Sequence, residues 1–379
     1  MDFSFSKEQT AYQADVRQFA KAAGLDAEPG ERAEGPGFNR EAWQKCAGFG
    51  IQGGLVPEEH GGRGLDLVTF IGGLESLGTV CRDNGLLFAM CAQIFACELP
   101  LLSFGSDEQR ARWLPGLCDG SLIGAIAIAE EHGASDAFAI QTTAREEGNT
   151  FLLNGRKAYV TNAPFCNLAL VFARVEDARE IGCFVVEQGT PGFLQEPPTA
   201  KMGMSGGPFG ALAFENCRVP AAHRLGSRKS GELIFVSAME WERGCLLAPM
   251  VGGMQRILDQ CIAWVRTREQ QGASLSKKQA VAHRVADMRV RVESARWMLY
   301  GFAWKKQVKR RANLEASMAK LFISEAAVAN ALDALTLHGA YGYTQASGIE
   351  REVRDMLATP IASGTSDIQR NIIAKWLRL

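Results

Sequence analysis

Two acids stand two residues apart in Glu240-Trp241-Glu242-Arg243, within an apolar setting of Phe235, Met239, Cys245, Leu246, Leu247 and Met250. On a helix, side chains two apart point about 200° away from each other. The two carboxylates therefore do not share a face, and one of them is expected to enter a largely apolar pocket. There its charged form loses hydration, and its pKa rises toward that of a useful general base. The competing reading is a pair of solvated acids near a helix start, where the helix dipole favours them. The residues alone do not choose between Glu240 and Glu242.

A second candidate is Ser363-Gly364-Thr365-Ser366-Asp367, a small polar turn that ends in a helix cap. Such a start presents free backbone N–H groups to an anion or a polar ligand, although a plain cap is the simpler local reading. Gly61-Gly62-Arg63-Gly64 follows a helix rather than a strand, so it reads as a tight turn and not as a phosphate cradle. The five histidines lie far apart, none in a His-x-x-x-His frame, and no metal site is expected. His283, beside the apolar stripe of a helix, reads as a core or interface group. There is no Gly-x-Ser-x-Gly elbow and no P-loop. The ten cysteines, from Cys46 to Cys261, form no Cys-x-x-Cys pair and are expected to be reduced and mostly buried.

The segments that must hold these groups change texture twice, giving an α+β chain: a helical domain over 1–119, a β domain over 120–228 and a helical domain over 229–379. Ser6 and Gln9 have the spacing of a capping box, and Tyr12, Val16 and Phe19 follow at helical intervals. After a break at Glu28-Pro29-Gly30-Glu31, a helix is predicted from Arg40 to Phe49. A Pro/Gly-rich loop, 56–64, precedes two apolar-patterned stretches, 67–80 and 85–104. Residues 122–128 are a dense apolar run. Thr150 to Arg156 reads as a strand entering a hairpin turn at Asn154-Gly155. Leu168–Arg174, Cys183–Glu187 and Ala211–Phe214 are further strands. One long helix is then predicted from Phe235 to about Arg268, with Pro249 a candidate kink. Others run from Lys278 to about Lys305, from Asn313 to Leu337, and from Ser366 to Leu377 with Thr365 or Ser366 as cap. Four terminal helices predict a bundle.

The chain has 379 residues, 47% hydrophobic and 22% charged, which suits a globular protein of two or three domains. Its net charge of −1 offers no bulk field to nucleic acid or an anionic membrane. No run of about 18 uncharged apolar residues is evident, and the polar start Met-Asp-Phe-Ser-Phe-Ser-Lys has no apolar signal region. A cytoplasmic enzyme-sized protein is expected, without nucleic-acid or membrane partners.

Taken in order, the motifs resemble the acyl-CoA dehydrogenase family over essentially the whole chain. Leu55-Val56-Pro57-Glu58-Glu59-His60-Gly61-Gly62-Arg63-Gly64-Leu65 is similar to its N-terminal loop. Ala129-Glu130-Glu131-His132-Gly133-Ala134-Ser135-Asp136 is similar to its flavin loop, and Leu153-Asn154-Gly155-Arg156-Lys157-Ala158-Tyr159-Val160-Thr161-Asn162 to its next signature. Phe214 to Pro220 resembles the end of its β domain. Arg268-Glu269-Gln270-Gln271-Gly272 with Gln279, His338-Gly339-Ala340-Tyr341-Gly342-Tyr343, and Gly364-Thr365-Ser366-Asp367-Ile368-Gln369-Arg370 resemble its C-terminal motifs. The resemblance implies an N-terminal helical domain, a middle β-barrel domain and a C-terminal four-helix bundle. It implies FAD as cofactor and α,β-dehydrogenation of an acyl thioester, a reaction on a CH–CH donor.

In many members of that family a Glu immediately before Gly-Thr-Ser is the base; here that position is Ser363. A branch acting on branched-chain thioesters carries its Glu just before an Arg on the first long C-terminal helix. The resemblance thus selects Glu242 as base with Arg243 beside it, and leaves Glu240 as bystander. It places the backbone N–H of Ser363 at the developing enolate oxygen. It implies flavin contacts from Ile126, Ile128, Ala129 and Ser135, from Tyr159 and Thr161, and from Thr365 and Asp367. It assigns Gln271, Thr336 and Gly339 to FAD binding, and Arg268 and Gln279 to the FAD of a neighbouring subunit, hence at least a dimer, with a homotetramer the expected assembly. Four positions carry residues atypical of the family: Ala129 for Thr, Glu131 for Pro, Gln271 for Phe and Thr336 for Gln. Within the family, Ser237 to Leu246, Asn162-Ala163-Pro164, Ala282-His283-Arg284 and Ser363 to Asp367 are most similar to dehydrogenases of prolyl groups held on a peptidyl carrier protein in secondary metabolism. An acyl or peptidyl carrier protein is the implied partner. The alternatives are a short- or branched-chain acyl-CoA substrate, and a relative that binds flavin and thioester without dehydrogenation. The electron acceptor is not implied.

Overall fold

Six of the twelve described α-helices start at a side chain that accepts a backbone N–H left free by the first turn. Ser6 and Gln9 form the reciprocal capping box ahead of α1 (Lys7–Ala22). Asn39 caps α2 (Arg40–Phe49), Asp66 caps α3 (Leu67–Val80) and Asp83 caps α4 (Asn84–Gln93). A π-turn, Ile94–Glu98, carries α4 into α5 (Leu99–Phe104), and a second capping box at Ser106 opens α6 (Asp107–Cys118). Each such cap is worth about 1 kcal/mol. The computed structural model describes residues 4–28, 38–133, 139–176, 180–308 and 311–379.

Asn84–Phe104 corrects the reading of apolar runs. With Glu98 included, it is long and apolar enough to cross a membrane by length and composition, at mean hydropathy 1.8. It is instead a core element, with 89% of its apolar window buried.

The middle of the chain forms β1 (Gly124–Ala127), β2 (Thr143–Glu147), β3 (Thr150–Thr161), β4 (Leu168–Val175), β5 (Glu180–Glu187), β6 (Phe193–Gln195), β7 (Phe209–Pro220) and β8 (Arg224–Leu225). They make one eight-stranded sheet in the order β6-β7-β3-β2-β4-β5-β8, with β1 paired in parallel to β4. Alternation sorts the side chains. On β4, Ala169, Val171 and Ala173 join an inner cluster fed by β1 to β7, so the sheet curls on itself as a barrel does. Leu168, Leu170 and Phe172 point the other way, onto a cluster shared with Trp113 of α6 and Ile234. Because both faces are covered, β4 and β5 read as continuous apolar runs rather than alternating ones.

The predicted turn at Asn154-Gly155 is not a turn. β3 runs straight through it to Thr161, with a register shift between Leu153 and Gly155 against β7. Gly155 has φ +142, and a Cβ there would sit 2.6 Å from the Thr142 hydroxyl. Glycine answers a bulge and a close approach here. The hairpin turn lies six residues earlier, at Gly148-Asn149, between the paired Glu147 and Thr150.

The predicted 235–268 helix is two: α7 (Gly231–Cys245) and α8 (Ala248–Thr267), separated by Leu246 and Leu247. Pro249 starts α8, where its missing N–H costs nothing, rather than kinking a longer helix. A two-residue hairpin, β9 (Glu269–Gln270) and β10 (Ala273–Ser274), turns at Gln271-Gly272. Then follow α9 (Gln279–Gln307), α10 (Asn313–His338), α11 (Ile349–Met356), which the sequence reading did not separate, and α12 (Ser366–Trp376), capped by Thr365. One apolar core joins α1 to α4 with α7 to α10, so the first and last helical parts are buried against each other. All ten cysteines are buried and free. His283 is exposed in this chain, not in the core.

Candidate active site

Glu240 and Glu242 of α7 are both buried, at 7% exposure each, which removes the reading as a solvated pair and the expectation that only one is enclosed. Their surroundings differ. Glu240 accepts from Lys306 Nζ at 2.8 Å, from the Ala312 amide at 3.2 Å and from Asn313 Nδ2 at 3.1 Å. It ties α7 to the end of α9 and the start of α10. Glu242 faces the turn before α12, where its Oε2 accepts from the Ser363 hydroxyl at 3.0 Å. Among the described residues, Oε1 accepts no hydrogen bond. Burial pushes the Glu242 carboxyl up to about 7, against the opposing pull of the Ser363 bond and the nearby Arg243 charge.

Arg243 is held off its neighbour. Its Nη2 donates to Asn313 Oδ1 at 2.9 Å, and no ion pair joins it to Glu242 among the described residues. Lys306, Glu240, Asn313 and Arg243 thus form a chain that leaves Glu242 outside it. Burial lowers the Arg243 pKa from the ordinary guanidinium value, and its Nε is buried without a partner.

Ser363 is a non-glycine residue at φ +53, followed by Gly364 at φ +87. This left-handed pair reverses the chain so that Thr365 can accept the Ile368 amide and start α12. The Ser366 hydroxyl just inside that start is buried and unpartnered. Asp367 is exposed and meets Arg370 at 3.2 Å.

The loop after β1 is clamped by a buried ion pair. Lys157 Nζ donates to Ile128 O at 3.0 Å and to Glu130 Oε1 at 2.8 Å. Glu130 also accepts the Gln141 and Thr142 amides and the Thr142 hydroxyl. Burial opposes the Glu130 charge, but these donors outweigh it and bring the carboxyl down to about 2. Burial lowers Lys157 to about 8 against the pull of Glu130, so both are charged at neutral pH. With the Ala158 amide bonded to Ala129 O at 2.9 Å, Ile128 and Ala129 are fixed alongside the outer half of β3. Tyr159 emerges there at φ +60, 56% exposed and stacked on Phe209. Thr161, half-buried, ends the same strand. Ile126 and Ile128 pack on the cluster that also holds Ile234 and Phe235 of α7. An exposed ring at positive φ, half-buried isoleucines and an orphaned Ser366 hydroxyl suit a flat ligand with apolar and polar parts, as a flavin is. Ser135 lies outside the described residues.

The remaining assigned positions lie elsewhere. Arg268, Gln271, Gln279, Thr336 and Gly339 are all exposed. The Arg268 guanidinium sits 6.0 Å over the Trp264 ring, which stacks on His338 and Tyr341 and donates to Leu337 O. Arg268 and the 336–339 turn therefore share one end of the helices. Asn313 touches Arg243, whereas Thr336 lies 23 residues further along α10. At helical rise that is about 35 Å. One chain does not bring this group to Glu242.

The sequence reading did not anticipate the Lys157–Glu130 clamp, the side chain of Ser363, or the holding of Arg243 by Asn313. A lysine inside a strand next to the fixed loop was the one available signal for the clamp.

Comparison with known proteins agrees with the motif order. The chain matches the acyl-CoA dehydrogenase N-terminal domain over residues 6–121, the middle domain over 125–217 and the C-terminal domain over 229–378. It is 35% identical to an L-prolyl-[peptidyl-carrier protein] dehydrogenase of Serratia sp. (strain ATCC 39006), over 100% of this chain and 99% of the relative. It is 36% identical to the human mitochondrial short-chain specific acyl-CoA dehydrogenase, over 87% of this chain and 81% of that protein. Among solved structures, the prolyl acyl carrier protein oxidase AnaB is 42% identical with a TM-score of 0.94, covering 99% of this chain and 100% of its own. The FAD complex of PigA is 34% identical with a TM-score of 0.93, covering 100% of both. The chain belongs to the acyl-CoA dehydrogenase family.

Proposed function

We propose that this protein is an FAD-dependent dehydrogenase of acyl thioesters, acting on a prolyl-like aminoacyl group carried by a peptidyl or acyl carrier protein, with Glu242 as base. The observation that carries the reading is the environment of Glu242. It is a buried carboxyl with one oxygen held, one oxygen free, and a pKa near 7. That value balances basicity against ionisation at neutral pH. Full-length likeness to proteins named for prolyl carriers supports the substrate class.

Ile126, Ile128, Ala129, Tyr159, Thr161 and the start of α12 would hold the flavin, which supplies an acceptor for the β-hydride. Glu242 Oε1 takes the α-proton of the thioester. The acid so formed stays in its apolar setting, where the neutral form is favoured. As charge moves to the thioester oxygen, the Ser363 N–H stabilises it in a site that excludes water. Asn313 keeps Arg243 near enough to favour the Glu242 carboxylate without closing an ion pair that would quench it as a base.

The exposed group around Arg268, some 35 Å along α10 from Asn313, supports a second copy of the chain completing each FAD site, in a homotetramer. Val290, Trp297 and Trp304, exposed at intervals of seven on α9, offer an apolar stripe for such contacts. Ten buried free thiols suit a reducing compartment such as the cytoplasm.

The test is flavin bleaching with L-prolyl-carrier, an acyl-CoA and free proline. Bleaching is expected with the carrier, weakly with CoA thioesters, and not with free proline, whose α-proton no thioester acidifies. Glu242→Gln is expected to keep FAD and lose bleaching by at least roughly 10²-fold. Faster turnover of an acyl-CoA than of every acyl-carrier tried would return the reading to an acyl-CoA dehydrogenase, which the likeness to the human enzyme favours.

A further inference from the structure

Ser363 occupies the turn that approaches Glu242 from outside its helix, and its side chain does more than fill that position. Its left-handed backbone, φ +53, is one that L side chains adopt at a cost, yet the residue is not glycine. The strained conformation brings Oγ within 3.0 Å of Glu242 Oε2, a contact between residues 121 apart in sequence. Glu242 Oε1 receives no such bond among the described residues. A hydroxyl that donates to one oxygen stops the carboxylate from turning and leaves the other oxygen to act.

We propose that Ser363 is a positioning residue for the base: its hydroxyl holds Glu242 Oε2, presents Oε1 to the substrate, and favours the ionised form. This rests on the assignment of Glu242 as base and goes beyond a role for the Ser363 backbone.

The charges on elements packed against α7 are engaged elsewhere. On α9, Lys306 binds Glu240 and Lys305 binds Glu315 of α10. On α10, Lys320 Nζ donates to Pro360 O at 3.1 Å. On β5, Glu180 pairs with Arg224 and Glu187 with Arg112. Glu98 of the π-turn accepts from Gln93, and α4 and α5 carry no charged residue. On α12, Asp367 pairs with Arg370. Arg243 and Ser363 are the groups that act on the Glu242 charge. Arg243 does so through space, and Ser363 through contact.

A bond to an ionised group favours the ion. Its loss should raise the Glu242 pKa by about one unit. The test compares Ser363→Gly, which suits the backbone at this φ, with Ser363→Ala, using FAD-loaded protein and L-prolyl-carrier. Two quantities are read: the acid limb of the pH profile of flavin reduction, and an infrared titration of the carboxyl band that Glu242→Gln removes. Both variants are expected to move both quantities upward by about one pH unit. Reduction near pH 7 should fall at least about five-fold, and by less on the alkaline plateau, where only the lost orientation of Oε1 remains. If both quantities stay put, with only KM or flavin content changed, the hydroxyl is structural and the proposal fails. If the infrared titration moves and the acid limb does not, or if Glu242→Gln still bleaches, Glu242 is not the base and the underlying reading fails instead.

Discussion

Glu242 is ionised at the expense of the fold, and that expense is measurable apart from catalysis. Its folded pKa, near 7, lies above the ordinary value of 4.5 because burial disfavours the charge. The protonated form is therefore the one the fold prefers. Its contribution to stability is full below pH 4.5 and is lost as pH rises through 7, a difference of about 3 kcal/mol. Glu242→Gln, neutral at every pH, should unfold at a higher temperature than the parent near pH 8 and at a similar one near pH 4.5. An equal offset at both pH values would mean that Glu242 does not titrate in the folded state as described. Glu240 should behave otherwise, since it is charge-paired with Lys306 and caps the Ala312 amide. Glu240→Gln is expected to lower stability by about 1–3 kcal/mol by leaving the half-buried Lys306 without its partner, and to keep measurable flavin bleaching; retained stability with lost bleaching would exchange the roles of the two acids. At this scale the sequence was half legible. The types and spacing in 240–243 marked a buried acid, and the family resemblance chose which. The partners were not legible: Ser363 lies 121 residues from Glu242 and Lys157 lies 27 from Glu130. No local pattern encodes such pairs.

Elements were legible where the signal is local. Ser6–Gln9 forms the predicted capping box because both partners lie within one turn of each other. The misread elements are those where tertiary contacts override a local cue. Asn154-Gly155 has turn chemistry, but its glycine serves the approach of Thr142. Pro249 has kink chemistry, but the chain had already broken at Leu247. The same override governs α3 against α8. A Cβ on Gly252 would lie 2.0 Å from Glu75 O, and one on Gly78 would lie 1.9 Å from Pro249 O. These two backbones meet through their glycines. In an open helix, Gly→Ala gains about 1 kcal/mol. Gly252→Ala should instead lose about 1–3 kcal/mol, because a backbone atom cannot move aside as a flexible side chain can. Gly48 on α2 is the control, exposed and with nothing within 4 Å of its Cβ, and Gly48→Ala should be neutral or stabilising. Urea midpoints decide; equal shifts for both variants would mean that α3 and α8 are not in such contact.

At the scale of the whole molecule, the fold divides the assigned cofactor contacts into two groups that α10 holds apart. Glu242, Ser363, Tyr159 and Thr161 belong with the barrel and the α12 start; Arg268, Gln279 and Thr336 stand at the far end, exposed. A rigid helix cannot fold back, so if both groups serve FAD they serve two different molecules, each completed by another copy. Flavin retention should then depend on assembly as well as on local contacts. Arg268→Ala removes a planar donor suited to a pyrophosphate, and among the described residues Arg268 makes no ion pair that the fold would miss. The variant is expected to keep its unfolding temperature as apoprotein, to purify with substoichiometric flavin, and to regain colour when FAD is added. Diluting the parent protein until the assembly dissociates should release FAD over the same concentration range, because dissociation removes Arg268 of one copy from the flavin of the next. Flavin fluorescence and particle mass, followed together across a dilution series, test this. A monomer that keeps full flavin, or an Arg268→Ala protein that is fully yellow at every concentration, would place the whole cofactor within one chain and leave the exposed end of α8 and α10 without this role.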